Sequence, residues 1–108
     1  MINNISNQDL KTLIDEHTII VFMKGDKDLP RCGFSNTVIQ ILNQFNINYH
    51  TINVLENNNI RQRIKIYSTW PTIPQVYIKG EFIGGADIMM DLYQNHQLHE
   101  IIEKAINE

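Results

Sequence analysis

The run Thr18-Ile19-Ile20-Val21-Phe22-Met23 is β-favouring and, past Thr18, wholly apolar. A strand with one face in water alternates apolar with polar side chains. This one does not alternate, so it predicts a central strand covered on both faces. Any fold built around it needs helices above and below a sheet.

The remaining pattern supplies them. Ser6-Asn7-Gln8-Asp9 reads as a capping box ahead of Leu10, Leu13 and Ile14, which predicts a short first helix. After the strand comes a polar loop, Lys24 to Arg31. From Phe34 onward, Val38, Ile41, Leu42 and Phe45 recur at helical spacing. A second strand is expected near Tyr49 to Val54, and Ile60, Ile64 and Tyr67 predict another helix. Trp70-Pro71-Thr72-Ile73-Pro74 is not regular helix, because a residue before proline is pushed to extended geometry. Val76–Lys79 and Phe82-Ile83 around Gly80-Glu81 form a hairpin closed by Gly84-Gly85. From Asp87 to the end the pattern is helical, with Leu92, Leu98, Ile101, Ile102 and Ala105 inward. The order is αβαβα followed by ββα. Its first half gives two parallel strands with a right-handed crossover, and the hairpin adds two antiparallel ones. The expected class is α/β, a mixed four-stranded sheet with helices on both faces, which resembles the thioredoxin fold.

A chain of 108 residues reads as one domain over residues 1–108, long enough to bury a core unaided. Its net charge of −3, with both signs interspersed, argues against nucleic acid or an anionic membrane as main partner. No stretch approaches a membrane span, and the N-terminus resembles neither a secretory signal nor a transit peptide.

Cys32 is the sole cysteine, in Cys32-Gly33-Phe34-Ser35. One thiol cannot close an internal disulfide, so any sulfur partner comes from a small thiol, a second copy of the chain or another protein. A lone cysteine suits a reducing compartment, hence the cytoplasm or, for a chain matured from a precursor, an organelle matrix. Cys32 sits where a loop meets a helix N-terminus, whose free N–H groups and dipole favour thiolate. Lys24 and Arg31 add positive potential, Gly33 allows close approach, and Phe34 can shield one side. The alternative, a buried structural cysteine, fits poorly with Pro30-Arg31 before it and Gly33 after it.

Three segments together resemble the monothiol glutaredoxins: Lys24-Gly25 with Cys32-Gly33-Phe34-Ser35, then Trp70-Pro71-Thr72-Ile73-Pro74-Gln75, then Gly80-Glu81-Phe82-Ile83-Gly84-Gly85-Ala86-Asp87-Ile88. The resemblance implies a cis peptide before Pro74, with the Ile73 backbone pairing to glutathione as a short added strand. It implies that the N–H groups of Ala86 and Asp87 receive the γ-glutamyl carboxylate, with the Asp87 side chain near the amine. Lys24 and Arg61 are the matching cations, Arg61 at the glycyl end. Many relatives carry cysteine or serine where this chain has Ala86, which leaves the backbone N–H intact but excludes a second thiol. His96 and His99, three apart, have a spacing that can bind metal but read as an exposed helix face. His17 and His50 carry no signal.

Four thiolates hold a [2Fe–2S] cluster. Two chains and two glutathiones offer four, so Cys32 is expected to be both the reactive thiol and the metal ligand in a cluster-bridged homodimer. The resemblance implies transfer of the cluster to apo iron–sulfur client proteins, and it permits a BolA-type partner. The alternative is a glutathione-dependent thiol–disulfide oxidoreductase acting on glutathionylated proteins by a monothiol mechanism. The loop from Lys24 to Cys32 is longer than in dithiol glutaredoxins, which implies at most weak activity of that kind. Ser35, which supplies no sulfur, is expected to matter little for holding a cluster.

Overall fold

The structure, a computed structural model, describes residues 4–108. Helix α1 (Asn7–Asp15) leads into strand β1 (Ile19–Met23). Two short strands follow, β2 (Gly25–Asp26) and β3 (Leu29–Pro30), then helix α2 (Gly33–Leu42), strand β4 (His50–Asn53) and helix α3 (Asn58–Ser68). Strands β5 (Gln75–Ile78) and β6 (Glu81–Gly84) precede helices α4 (Ala86–Gln94) and α5 (Gln97–Asn107).

The main sheet has the order β4-β1-β5-β6. Strand β1 is parallel to β4, with Ile20 opposite His50, and antiparallel to β5, with Ile19 opposite Ile78. This is the expected mixed four-stranded sheet. All five residues of β1 are buried, and they alternate between two cores. Ile19, Val21 and Met23 pack with Val38, Ile39 and Leu42 of α2, Met89 of α4, and Leu98 and Ile102 of α5. Ile20 and Phe22 pack with Leu10 and Ile14 of α1, Ile64 of α3 and Tyr77. Helices α2, α4 and α5 therefore cover one face, and α1 and α3 the other. Each such side chain contributes about 2 kcal/mol of gross hydrophobic stabilisation.

The helix starts follow from side-chain caps. The Ser6 hydroxyl accepts from the Asp9 N–H (3.0 Å), and the Asp9 carboxylate accepts from the Ser6 N–H (3.0 Å). This is the expected capping box. Asn57 caps α3 by accepting from the Ile60 N–H at 3.1 Å.

Two expectations are corrected. The Lys24–Arg31 segment is not plain loop, because β2 and β3 pair antiparallel within it. The C-terminal helical region is two helices, broken at Asn95 and at His96, which has φ +63°. Leu98, Ile102 and Ala105 are buried as expected, with Leu92 and Ile101 half-buried against the same core. His96 and His99 are exposed, and His99 pairs with Glu103 at 3.1 Å. His17 and His50 stack face to face, ring centroids 4.0 Å apart.

One buried polar side chain joins the sheet to the segment before it. Gln75 is fully buried. Its amide donates to the carbonyls of Trp70 (3.1 Å) and Thr72 (3.2 Å), while its oxygen accepts from the Tyr77 hydroxyl (3.0 Å). Burial, opposed by a hydrogen bond with Ser68, holds the Tyr77 phenol well above its ordinary value, so it remains a donor. Gln75→Glu would keep the shape and lose the amide donors. Burial raises the pKa of such a carboxyl above its unfolded value of about 4.3. The folded variant then binds more protons than the unfolded chain, so its stability falls as pH rises above about 4.3. Denaturant titrations should show Gln75→Glu losing about 2 kcal/mol more, relative to the parent, at neutral pH than at pH ~4. Equal losses at both pH values would mean that water reaches the site.

Candidate functional site

Cys32 is the N-cap of α2, in extended geometry (φ −152°, ψ 157°). Its Sγ accepts from the Ser35 N–H at 3.3 Å and lies 3.2 Å from the Ser35 hydroxyl. The sulfur thus does what a serine or aspartate oxygen does at most helix starts. It is half-buried and free of any disulfide, not a packed core cysteine. Burial pushes the thiol up. The Ser35 hydroxyl, the N–H groups of Ser35 and Phe34, and the Lys24 charge push it down, and together they leave it below its ordinary value. Of the two cations expected nearby, Lys24 is the one that acts on the sulfur. Arg31 engages through its backbone, its N–H donating to the Lys24 carbonyl at 2.8 Å.

The backbone around Lys24 is fixed from several sides. The Lys24 N–H donates to the Ser35 hydroxyl (3.1 Å), and the Gly25 N–H donates to the Asn53 side chain (2.9 Å). Gly25 has φ +91°, and a Cβ there would stand 2.5 Å from the Leu29 carbonyl oxygen, so only glycine fits. Lys27 ties the β2–β3 hairpin to the residue just before β4 by donating to the Tyr49 carbonyl at 2.7 Å.

A groove of about 420 Å³ lies beside the α2 N-terminus. The sequence-predicted residues Lys24, Arg61, Ile73, Ala86 and Asp87 all line it. Cys32 does not, but Phe34, two residues on, does. Phe34 is 65% exposed, so much of its ring faces solvent beside the groove. Ile73–Pro74 is cis, as the resemblance implied. The ladder between β1 and β5 begins at Gln75, which leaves Ile73 just beyond it. Helix α4 starts at Ala86 with Gly85 as N-cap, and no side chain caps its first N–H groups. Gly85 meets the other wall closely, since a Cβ there would stand 3.2 Å from the Pro74 carbonyl oxygen.

Sequence reasoning missed Lys65, which lines the groove along with Trp70, Pro71 and Thr72. Lys65 is four residues from Arg61 on α3, so both share one helix face, and that spacing was the available signal. It also missed Ser35 as a buried partner of the sulfur. The groove carries three cations, Lys24, Arg61 and Lys65, against Asp87. With the unpaired N–H groups of a helix start, this suits a ligand bearing carboxylates and one ammonium group.

Residues 19–83 match the family model described as Glutaredoxin. The chain is 54% identical over 104 residues to an uncharacterized monothiol glutaredoxin ycf64-like of Synechocystis sp., covering 93% of this chain and 97% of that one. It is 54% identical over 97 residues to an uncharacterized monothiol glutaredoxin ycf64 of Porphyra purpurea, covering 90% and 91%. Its structure superposes on reduced poplar apo GrxS14 with a TM-score of 0.81 at 48% identity, covering 94% and 93%. With a lone cysteine capping the helix beside this groove, the chain belongs to the glutaredoxin family as a monothiol glutaredoxin.

Proposed function

We propose that the whole chain acts as a single glutaredoxin domain. It binds glutathione in the groove, holds a glutathione-ligated [2Fe–2S] cluster between two copies of itself, and passes the cluster to apo iron–sulfur client proteins. The observation that carries this reading is the sulfur count: one thiol per chain, placed beside a groove whose charges match glutathione. Glutathione has two carboxylates and one ammonium. Lys24, Arg61 and Lys65 would meet the glycyl end, the Ile73 backbone would pair with the cysteinyl residue, and the Ala86 and Asp87 N–H groups would take the γ-glutamyl carboxylate. The Asp87 carboxylate would hold the amine. Each chain then brings two thiolates, Cys32 and that of its glutathione, and two chains complete the set of four. The cluster is cargo, and a ligand shell that is half dissociable suits its release. The same reading admits a BolA-type protein in place of the other copy. We assign the protein to the cytoplasm or an organelle matrix. Among the described residues no helix is long and apolar enough to cross a membrane.

The lowered pKa of the Cys32 thiol favours a second reading, a monothiol oxidoreductase. The Cys32 thiolate would attack the sulfur of a glutathionylated protein, forming a Cys32–glutathione disulfide and releasing the protein thiolate. A second glutathione thiolate would then attack that disulfide, restoring Cys32 and leaving as glutathione disulfide.

Anaerobic reconstitution with iron, sulfide and glutathione separates the two. The carrier reading expects a coloured dimer with one cluster per two chains, lost when glutathione is omitted and absent in Cys32→Ser. A colourless monomer that deglutathionylates proteins briskly would establish the enzyme reading instead. Titration calorimetry should show Lys24→Gln and Arg61→Gln each weakening glutathione binding by about threefold to tenfold, the scale of one charge-assisted hydrogen bond at a partly wet site. Unchanged affinity in both would remove the glycyl-end assignment.

A further inference from the structure

We infer that Gln75 is a positioning residue for the groove: its buried amide clamps the Trp70–Thr72 wall and so sets where Ile73 meets the ligand. The run from Trp70 to Pro74 lines the groove with every one of its residues. It lies between α3, which ends at Ser68, and β5, which begins at Gln75, so neither a helix nor a ladder fixes its shape. Pro71 and Pro74 bring no N–H to bond with. The Trp70 N–H is spent at the end of α3, on the Lys65 carbonyl (3.1 Å) and the Ser68 hydroxyl (3.1 Å). The carbonyls of the wall therefore need a donor from elsewhere. Gln75 Nε2 supplies it, to Trp70 at 3.1 Å and to Thr72 at 3.2 Å. Both protons of one amide go to one wall, on either side of Pro71.

The amide is held in that sense from behind. Its oxygen accepts from the Tyr77 hydroxyl at 3.0 Å, and burial keeps that phenol a donor. A reversed amide would set its oxygen against both carbonyl oxygens. Gln75 and Tyr77 are buried, so bulk water does not stand in for a lost partner. The Trp70 indole is fixed separately, against Phe82 with ring centroids 5.7 Å apart. Without the amide donors, two carbonyls are left facing a dry interior, which costs more than the bonds themselves. Their route back to water is a rotation of the wall peptides toward the groove. That rotation moves Thr72 and Ile73, the stretch that would meet the cysteinyl residue of glutathione. Gln75 does not itself line the groove, so its effect on a ligand passes through the wall. The effect of the clamp on affinity rests on the groove being the glutathione site.

Calorimetry of glutathione binding, with no iron present, compares the unaltered protein with Gln75→Met, Gln75→Glu and Ile102→Ala. Gln75→Met keeps the bulk and removes the donors, and should bind about fivefold to tenfold more weakly. Gln75→Glu should be as weak at pH ~8, where an ionised carboxylate has no donor. At pH ~5, where burial keeps it protonated and able to donate once, it should come within about twofold of the unaltered protein. Each affinity is taken relative to the unaltered protein at the same pH, which removes the titration of glutathione and of Cys32 from the comparison. Ile102→Ala, a cavity in the opposite core, should lose stability and keep its affinity. A folded Gln75→Met with unchanged affinity would overturn the inference. So would a Gln75→Glu deficit equal at both pH values, or an Ile102→Ala deficit as large as that of Gln75→Met. Should the Gln75 variants not fold, hydrogen exchange in the unaltered protein decides. Both Gln75 side-chain amide protons must then exchange far more slowly than those of an exposed glutamine and shift when glutathione is added; fast exchange refutes the clamp. Slow exchange without any glutathione binding would remove the glutathione reading and leave the clamp standing, so the two fail separately.

Discussion

Strand β1 has hydrogen-bonded neighbours on both edges and a hydrophobic core on each face, and this two-sided burial decides where the site lies. A parallel neighbour requires a crossover, so the helix after β1 begins at the strand's C-terminal end and returns along the sheet. That places the α2 N-terminus, and Cys32 on it, beside Lys24. Strand β5 is antiparallel to β1, so its N-terminal end lies at the same edge: Gln75 pairs with Phe22, and Ile73-Pro74 comes just before it. Strand β6 is antiparallel again, so its C-terminal residue Gly84 stands opposite Val76 and delivers the α4 N-terminus to that edge too. Three segments far apart in sequence converge because of strand direction alone, at the carboxyl end of β1 where open α/β sheets bind ligands.

Convergence also fixes the electrostatics. The N-termini of α2 and α4 both lie at this edge, each with the positive end of a helix dipole. Lys24, Arg61 and Lys65 add three charges against Asp87. A chain of net charge −3 therefore has a cationic groove, and acidic residues other than Asp87 fall elsewhere, several on α4 and α5 (Asp91, Glu100, Glu103). Of the three cations, Lys24 also helps lower the pKa of the Cys32 thiol, after the hydrogen bonds from Ser35 and the Phe34 N–H. That charge contribution weakens as salt screens it.

Most of this was legible because it is written in periodicity and punctuation. The apolar run at Ile19–Met23, the helical spacing of Val38, Ile41 and Leu42, and the prolines and glycines around Ile73 and Gly85 each carry a local physical signal, and together they specify the sheet and the groove lining. What was missed has no such signal. Strands β2 and β3 are two residues each, too short to show alternation. The break at His96 lacks glycine or proline, since a non-glycine residue takes the left-handed conformation there. Gln75 and Ser35 are polar residue types with no local sequence signal for burial. They are buried because tertiary structure brings each one its partners, the Trp70 and Thr72 carbonyls for Gln75 and the Lys24 N–H for Ser35. Lys65 was within reach, since Arg61 already marked its helix face.

The identity of residue 35 then decides what the thiol can do. In a Cys-x-x-Cys chain the side chain at this position is a second sulfur, close enough to bond covalently and remove the first from circulation. Here the same place holds an oxygen 3.2 Å from Cys32 Sγ, which can donate a proton but cannot be oxidised to a disulfide. A thiol supports two incompatible states, bonded and reduced, whereas a hydroxyl supports one. The Ser35 hydroxyl therefore lowers the pKa of Cys32 without consuming the thiol, and any sulfur partner for Cys32 comes from outside the chain.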